Sequence, residues 1–335
     1  MNNILVVNIN WLGDAVFSIP VFKTLKKTYP QARLTCLCAP RVKEVLQYCP
    51  YVDKIIVYDE RGRHRYPWRK LGLIASLRKK KFDAAFLLHR SLTRSLMVYL
   101  AGVPLRIGYS KTPGLLTHPV AMAAEDMHRC DYYLKAVEGF GIKVQDRTCE
   151  LRLKAEDIQS LRTKLANAGL KPMKDYVVLN PGGNWDLKRW GPDAFAQLAK
   201  RLNEQFDLPV VFSGGHHDRE LCRHIMKISG VKGVVMAGET ALGESLALYK
   251  QALGVISADS GPLHLAHSVG GNIIGIYGST RPEITGPRGG GRSIILFNEI
   301  GCNKAPCYHL ACGSNVCMKS VTVSDVAQAF EKLRS

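Results

Sequence analysis

The amino-acid sequence predicts an α/β protein made of two Rossmann-like halves, each with a parallel β-sheet. Short apolar runs alternate with helical stretches along the chain, which is the pattern of βαβ units. The alternation stops and starts again in the second half, and a chain of 335 residues is long for a single hydrophobic core. We therefore expect one domain at residues 1–170 and another at 171–335, joined near Leu170 to Lys174.

In the first half, five segments are predicted to be strands: ILVVNI, RLTCLCAP, VDKIIVYD, FDAAFLLH and LRIGYS. The stretches between them are predicted to be helical, among them FSIPVFKTLKKTYP, RVKEVLQYCP, a strongly basic segment and SLTRSLMVYLAG. Ligands of open parallel sheets bind at the carboxyl ends of the strands. The turn NWLGDAV, which follows the first strand, is therefore a candidate functional loop.

The second half begins with a predicted helix, EDIQSLRTKLANAGLKP, which ends in the stop signals Gly and Pro. Five predicted strands follow, namely DYVVLNPGG, LPVVFSGG, GVVMAG, LGVISAD and NIIGIYG, with the amphipathic helix PDAFAQLAKRLNEQF after the first of them. The last helix, SVTVSDVAQAFEKLR, could pack on either half. Neither half contains G-x-G-x-x-G or a Walker sequence, which argues against dinucleotide-dependent dehydrogenases and P-loop enzymes.

The composition is that of a globular protein, with 46% apolar residues and no run near the ~20 apolar residues of a membrane span. The start, MNNILVVNIN, lacks the basic region of a signal peptide and leads directly into a strand. We therefore expect a cytoplasmic protein. Its ten cysteines are then expected to be thiols and not a disulfide framework.

The net charge of +18 is concentrated in the first half. Residues 1–150 contain 24 Lys and Arg against 12 Asp and Glu, a net of +12, and residues 61–81 contain nine basic residues and no acid. Such a run fits nucleic acid, an anionic membrane surface or a phosphorylated glycolipid, and it is also compatible with a solvated basic face. We assign Lys79, Lys80 and Lys81 to the binding of an anionic acceptor.

The segment DSGPLHLAHSVG, residues 259–270, predicts a helix that begins near Gly261 or Pro262 after a buried strand. Asp259 and Ser260 are strong helix N-caps, and proline fits the first helical position. The bare N–H groups and the positive dipole end of such a helix can bind phosphate. An ordinary capped turn is the alternative.

The loop NPGGNWDLKRWG, residues 180–191, combines glycines, which allow close approach of the backbone to a ligand, with Lys188 and Arg189. These cations could neutralise the charge that develops on a leaving phosphate. The alternative is a basic surface turn with Trp190 packed beneath it. We favour a functional loop, because it and DSGPLH should end at the same edge of one sheet.

Asp14, in WLGDAV, is the only acid in the first 40 residues and lies at the first strand-to-helix turn. It is either an N-cap or a general base placed opposite the phosphate site.

Two groups of residues are of types that can bind metals, but we expect neither group to hold a metal ion. Cys302, Cys307, Cys312 and Cys317 recur every five residues, which matches zinc spacing poorly and favours free thiols, with a metal site as the alternative. His216, His217 and Asp218 are adjacent and are expected to form a polar loop.

Long stretches of the chain resemble the bacterial lipopolysaccharide heptosyltransferases of glycosyltransferase family 9. The similar stretches are NWLGDAVFSIPVFKTLKKTYPQA, RKLGLIASLRKKKFDAAFLLHRSLTRSLMVYLAGVPLRIGY, NPGGNWDLKRW and DSGPLHLAHSVGGNIIGIYGSTRPEITGP. Together they cover most of the chain in the family's order, and the spaced cysteines are similar too. The W-L-G-D form of the opening is most like the second heptosyltransferases of the pathway.

The resemblance implies a GT-B fold, with two Rossmann-like domains facing across a cleft, the acceptor on the N-terminal one and ADP-heptose on the C-terminal one. It implies inverting transfer without a metal or other cofactor. By position, Asp14 corresponds to the base and Lys188 to a donor contact, while the diphosphate and sugar motif corresponds to Asp259, Ser260, Gly261 and His264. The family's acidic donor contact aligns best with Asp218 and next with Glu220. His267 replaces a residue that is usually small.

The resemblance also implies the partners. The anionic inner core of a lipopolysaccharide precursor at the cytoplasmic face of the inner membrane would account for the basic first half, and we add Arg90 to the acceptor-binding residues. No nucleic-acid partner is expected. Three alternatives remain: transfer from another nucleotide sugar, a nucleic-acid-binding protein that uses residues 61–81, and a nucleotide-sugar-binding module without catalysis.

Overall fold

The computed structural model describes residues 1–109, 114–121, 124, 126–170, 175–183, 185–302, 307 and 312–335. The chain divides into two compact units, Met1–Glu150 and Leu151–Ser335. The division lies ahead of the boundary expected at residue 170, because the helix at Ala155–Asn167 packs on the helix at Leu242–Gln251 of the second unit. Of the expected junction, residues 171–174 lie outside the described part of the chain.

The first unit is a parallel sheet in the Rossmann order. Its strands are β1 (Asn3–Val7), β2 (Arg33–Cys38), β3 (Lys54–Val57), β4 (Ala84–Leu87), β5 (Leu105–Gly108) and β6 (His118–Pro119). Its helices are α1 (Leu12–Phe17), α2 (Ile19–Thr28), α3 (Pro40–Leu46), α4 (Pro67–Arg78), α5 (Leu92–Leu100) and α6 (Arg129–Glu138). The sheet order is β3-β2-β1-β4-β5-β6, and all neighbours are parallel. The order reverses between β1 and β4, which is where such sheets bind ligands.

The second unit begins with α7 (Ala155–Asn167) and repeats this topology. Its strands are β7 (Val177–Asn180), β8 (Val210–Phe212), β9 (Gly233–Val235), β10 (Gly254–Ala258), β11 (Ile273–Ile276) and β12 (Ser293–Leu296). The remaining helices are α8 (Pro192–Phe206), α9 (Arg219–Ser229), α10 (Leu242–Gln251), α11 (Gly261–Ser268), α12 (Pro282–Thr285), α13 (Val316–Lys319) and α14 (Val323–Arg334), with short 3₁₀ turns at Asp186–Lys188 and His216–Asp218. The sheet order β12-β11-β10-β7-β8-β9 reverses between β7 and β10, and all its neighbours are parallel.

Each unit has its own hydrophobic core. In the first, α4 and α5 cover the same face of the sheet, through Leu73 and Leu77 of α4 and Met97 and Val98 of α5. In the second, the final helix α14 packs on α8 and on the β10–β12 side of the sheet, which settles the half to which it belongs. No helix in the described part of the chain is both long enough and apolar enough to cross a bilayer.

The α/β class and all ten predicted strands are confirmed. Among the elements that were not predicted are the two-residue strand β6, the helix α6, the edge strand β12 and the short helix α13. The stretch FSIPVFKTLKKTYP was predicted as one helix, but α1 ends at Phe17 and α2 begins at Ile19. Pro20 lies in the first turn of α2, where its missing N–H costs no helical hydrogen bond.

Candidate active site

In the second unit, the loops that follow the central strands β7 and β10 bring together the residues expected to bind phosphate. These strands are parallel neighbours, with Ser257 of β10 opposite Asn180 of β7. Their carboxyl ends therefore lie side by side, at the point where the sheet order reverses. Lys188 follows β7 and Asp259 follows β10, and their side chains form an ion pair with Nζ 2.8 Å from Oδ2.

Asp259 is the centre of a buried polar cluster. Its Oδ1 lies 3.1 Å from Nε2 of His264, and its Oδ2 accepts a hydrogen bond from Oγ1 of Thr285 at 3.1 Å. The hydroxyl of Tyr277 donates to Oδ1 at 3.4 Å. Burial favours a raised pKa for Asp259, but the hydrogen bond with His264 and the charges of His264 and Lys188 outweigh it. The pKa of Asp259 is therefore held well below its usual value, and the carboxyl is ionised at neutral pH.

Within this cluster, the carboxylate of Asp259 is buried and the ammonium group of Lys188 is partly exposed to solvent. The side chain of Asp259 is 4% exposed, whereas that of Lys188 is 24% exposed. Asp259 is thus suited to holding Lys188 and His264 in place, and Lys188 is suited to contacting an anion. Tyr277 and Thr285 were not singled out from the sequence, because an isolated Tyr or Thr carries no pattern that identifies it.

The helix α11 begins at Gly261, as predicted, with Ser260 at its N-cap. The predicted side-chain cap is wrong: neither Asp259 nor Ser260 caps the helix, since Asp259 binds Lys188 and Oγ of Ser260 pairs with Oγ of Ser257 at 2.9 Å. The first-turn N–H groups, with the positive end of the helix dipole, are therefore left for a ligand beside Lys188.

Arg189 and Asp218, two further residues expected to contact the donor, make their hydrogen bonds within the loops of the second unit. Arg189 donates from Nη2 to the carbonyl of Gly183 at 2.9 Å and pairs with Asp186, so it holds its own loop together. Asp218 is buried and accepts a hydrogen bond from the backbone of Gly215. It lies against the β7 loop so closely that a Cβ on Gly182 would be 2.3 Å from its Cγ.

Glu220, the second choice for the acidic donor contact, is separate from this cluster. It lies in the first turn of α9, its side chain is 81% exposed, and it pairs with Arg223. His267, which stands where the family has a small residue, is buried and lies with Nε2 2.9 Å from the carbonyl of Gly291. Burial lowers its pKa, so it packs as a neutral imidazole.

In the first unit, Asp14 lies beyond β1, next to the reversal of the strand order. The N-cap of α1 is Trp11, which makes Asp14 the third helical residue, so the alternative that Asp14 is the N-cap is wrong. Its Oδ1 accepts a hydrogen bond of 2.9 Å from the hydroxyl of Tyr133. Burial and the charge of Asp14 raise the pKa of Tyr133 well above its usual value, so the phenol remains a donor.

Two arginines accompany Asp14 at this edge. Arg90 follows β4, the neighbour of β1, and is exposed. Arg94 is buried and donates to the carbonyl of Asn8 and to Oδ1 of Asn10, at 2.8 and 2.7 Å. It therefore ties α5 to the loop that leads to Asp14, a role that the sequence did not reveal.

Lys79, Lys80 and Lys81, which we also expect to bind the acceptor, lie at a different edge of the sheet from Asp14. They follow the C-terminal end of α4, and the carbonyl of Lys80 accepts a hydrogen bond from Nδ2 of Asn3, the first residue of β1. The three lysines therefore lie at the amino edge of the sheet, because a crossover helix runs antiparallel to the strands it connects.

The four spaced cysteines border one cavity of the second unit, with a volume of about 340 Å³. Leu187, Gly278, Ser279 and Arg281 also border it, which places it beside the loops of the Lys188 cluster. None of these four cysteines, all within the described residues, forms a disulfide bond. Within the described residues, no group of three or more His, Cys, Asp or Glu side chains is arranged to hold a metal ion.

Two Rossmann-type units, each with a six-stranded parallel sheet, are the architecture of a GT-B glycosyltransferase. The model of glycosyltransferase family 9 (heptosyltransferase) matches residues 70–313, and the chain belongs to this family.

Known relatives are consistent with this assignment. The chain is 27% identical to lipopolysaccharide heptosyltransferase 2 of Escherichia coli K12 over 305 residues, which is 85% of either chain. A family 9 glycosyltransferase structure from Veillonella parvula superposes with a TM-score of 0.88 at 24% identity, covering 99% of this chain and 97% of that one. The E. coli heptosyltransferase WaaC with ADP-2-deoxy-2-fluoro heptose superposes with a TM-score of 0.72 at 15% identity, covering 98% and 99%.

Proposed function

We propose that this glycosyltransferase moves heptose from ADP-heptose to the inner core of a lipopolysaccharide precursor, at the cytoplasmic surface of the inner membrane. The observation that carries the donor assignment is the ion pair of Lys188 with Asp259 beside the uncapped start of α11. Support for the sugar and the acceptor comes from the relative named lipopolysaccharide heptosyltransferase 2 and from the structural neighbour solved with an ADP-heptose analogue.

The donor residues have separate tasks in this proposal. Lys188 and the first-turn N–H groups of α11 bind the diphosphate and stabilise the charge that it acquires as the leaving group. Asp259 positions Lys188 and His264, which leaves His264 beside the sugar end of the donor. Asp218, with Glu220 as the alternative, remains the proposed acidic contact, while Arg189 acts by shaping the β7 loop.

Asp14 acts as the general base. A sugar hydroxyl becomes a nucleophile as its proton passes to the carboxylate, and its oxygen then attacks the anomeric carbon as the bond to the diphosphate breaks. A single displacement of this kind inverts the anomeric configuration. The positive charge that assists departure of ADP comes from Lys188 and the helix dipole, so we propose that no metal takes part. Arg90 contacts the anionic acceptor on the Asp14 side.

The direct test is to incubate the protein with ADP-heptose and a defined inner-core acceptor, weigh the product and determine its anomeric configuration by NMR. We expect the mass of one added heptose, an inverted anomeric centre and unchanged turnover in excess EDTA. Asp14→Asn is the control for background transfer. Turnover from UDP-sugars but not ADP-heptose would establish another donor, activity restored only by a divalent cation would refute the metal-free mechanism, and donor binding without transfer would indicate a binding module.

A further inference from the structure

The outer surface of α4 and α5 exposes an unusual number of large apolar side chains. Seven of them are between 39% and 65% exposed, and we call this set the α4–α5 face: Tyr66, Trp68, Leu71, Leu92, Leu96, Tyr99 and Leu100. The two helices pack side by side on one face of the first sheet. Groups of large exposed apolar side chains on neighbouring elements are a feature of interaction sites.

The helix α5 has two apolar faces, of which the fold buries one. Met97 and Val98 are buried in the core of the first unit. Leu92, Leu96 and Leu100 recur every four residues on the other face, a spacing that places them along one stripe of a helix. A stripe like this normally packs against another surface, yet these three side chains are exposed by 61%, 42% and 39%.

Aromatic side chains extend this face at the start of α4. The rings of Tyr66 and Trp68 stack at a centroid distance of 4.7 Å with 8° between their planes. Trp68 is 65% and Tyr66 is 49% exposed. Tyrosine and tryptophan have an apolar body and a polar group, and they are the residues that concentrate at the interface between a bilayer and water.

Cations accompany the apolar residues at the same end of α4. Arg61, Arg63, Arg65 and Arg69 are all exposed, and the run 61–81 contains no acid. These arginines lie near the carboxyl edge of the sheet, because α4 leaves that edge after β3. The helix has 12 residues, which at a rise of ~1.5 Å per residue separates its start from Lys79–Lys81 by about 18 Å.

We propose that the α4–α5 face docks on an anionic phospholipid bilayer, with its leucines and aromatic rings inserted at the interface and the arginines on lipid phosphates. The combination favours a bilayer over a second copy of this chain, since two such faces would bring like charges together. It also favours a bilayer over nucleic acid, because nucleic acid offers no apolar interior in which a stripe of leucines could be buried. The purpose of docking rests on the proposed function, because it places the Asp14 edge next to a lipid-borne acceptor.

The apolar part is tested by co-sedimentation of the purified protein with vesicles of phosphatidylethanolamine and phosphatidylglycerol. We expect Leu92→Ser/Leu96→Ser/Leu100→Ser to weaken partition by at least about tenfold, since each leucine loses buried apolar area. Leu96→Ser alone should weaken it by about threefold. The matched control is Ile228→Ser in the second unit, where an apolar side chain is 47% exposed, and its partition should equal that of the wild type.

The electrostatic part is tested by two variants with the same loss of three charges. Arg61→Gln/Arg63→Gln/Arg65→Gln should weaken binding to the anionic vesicles by at least about tenfold, because each basic residue near an anionic surface adds to the attraction. Lys79→Gln/Lys80→Gln/Lys81→Gln, at the opposite edge, should change it by less than about twofold. Equal effects of the two triple variants would refute docking through the α4–α5 face and indicate a non-specific charge effect.

Three further results would overturn the proposal. The first is wild-type vesicle binding by the triple serine variant. The second is equal quenching of the tryptophan fluorescence of the wild type and of Trp68→Phe by lipids with brominated acyl chains. The third is a concentration-dependent dimer in light scattering that the serine substitutions abolish, which would make a second copy the occupant.

Transfer to a water-soluble, delipidated acceptor separates this proposal from the proposed function. The serine variants should turn over that acceptor at the wild-type rate. Absence of all transfer, together with the expected vesicle pattern, would refute only the proposed function, whereas transfer without the vesicle pattern would refute only the docking.

Discussion

The two units share one sheet topology, yet the aspartates beside their reversal points differ in burial. Asp259 in the second unit is 4% exposed and is bound by the ammonium of Lys188 and the imidazole of His264. Asp14 in the first unit is half-buried and accepts from the neutral phenol of Tyr133. The side chain of Asp259 is thus enclosed by its partners, whereas that of Asp14 is partly accessible to a ligand.

This difference indicates how one fold supports two tasks. In the function proposed above, the loops at the carboxyl edge, and not the sheet, determine whether an aspartate orders cations for an anionic donor or accepts a proton from an acceptor hydroxyl. The comparison would fail if both carboxylates affected the same measurement. We expect substitution of Asp14 to change turnover and substitution of Asp259 to change donor affinity and stability.

Asp14→Asn should have the largest effect on turnover. General base catalysis typically contributes ~10²–10⁴-fold, so kcat should fall by about that factor. Asn preserves the shape of the side chain and an oxygen that can accept from Tyr133, so the melting temperature and the Kd for ADP should be unchanged. These are measured by steady-state assay, thermal unfolding and calorimetric titration.

The matched control for this substitution is Asp131→Asn, which removes a carboxylate on α6 that pairs with exposed Arg147. Surface pairs contribute little, so its kcat should stay within about twofold of the wild type. Near wild-type turnover by Asp14→Asn would show that the base lies elsewhere, and weaker ADP binding would show that the two units do not divide the tasks as proposed.

Asp259→Asn should reverse this pattern, with weaker donor binding and lower stability. Lys188 and His264 lose the anion that orders them, so we expect the Kd for ADP to rise about tenfold and the free energy of unfolding to fall by on the order of 2–4 kcal/mol. Lys188→Gln should weaken ADP binding without equal loss of stability, because its side chain is partly exposed. Unchanged ADP affinity in both variants would remove the cluster from the donor site.

The stability effect of Asp259 should depend on pH in one direction. Its folded-state pKa is depressed, so its contribution is complete above the unfolded-state value of about 4 and is lost as the pH falls below that value. The difference in melting temperature between the wild type and Asp259→Asn should therefore be constant from pH 6 to 7 and shrink below about pH 4. A difference that grew on acidification would contradict the ionised state of Asp259.

The donor side of this comparison was largely predictable from the sequence. Lys188 and Asp259 follow two predicted strands of one parallel sheet, so their meeting follows from topology, and the start of α11 follows from Ser260 and Pro262. The side-chain cap was mispredicted for a physical reason. A buried carboxylate needs its partners more than a helix end needs a cap, and Lys188 and His264 are the partners of Asp259.

The acceptor side was less predictable, because its contacts depend on tertiary packing. Tyr133 is separated from Asp14 by 119 positions, and α6, which carries it, was not predicted. The basic run 61–81 was treated as one surface, although it includes a whole crossover helix and so reaches both edges of the sheet. Charge density along a sequence does not show which end of a helix lies near a site.

Tyr133→Phe should have the smallest effect, and it tests how Asp14 is positioned. The hydrogen bond from the phenol stabilises the charged carboxylate, so its loss should raise the pKa of the base and move the acid limb of kcat/KM to higher pH. We expect this shift to be less than about one pH unit, with kcat lowered by about tenfold or less. Tyr132→Phe, one residue away on α6, is the control and should leave the profile unchanged. A lower kcat with an unmoved acid limb would mean that Tyr133 supports the packing of α6 and does not tune Asp14.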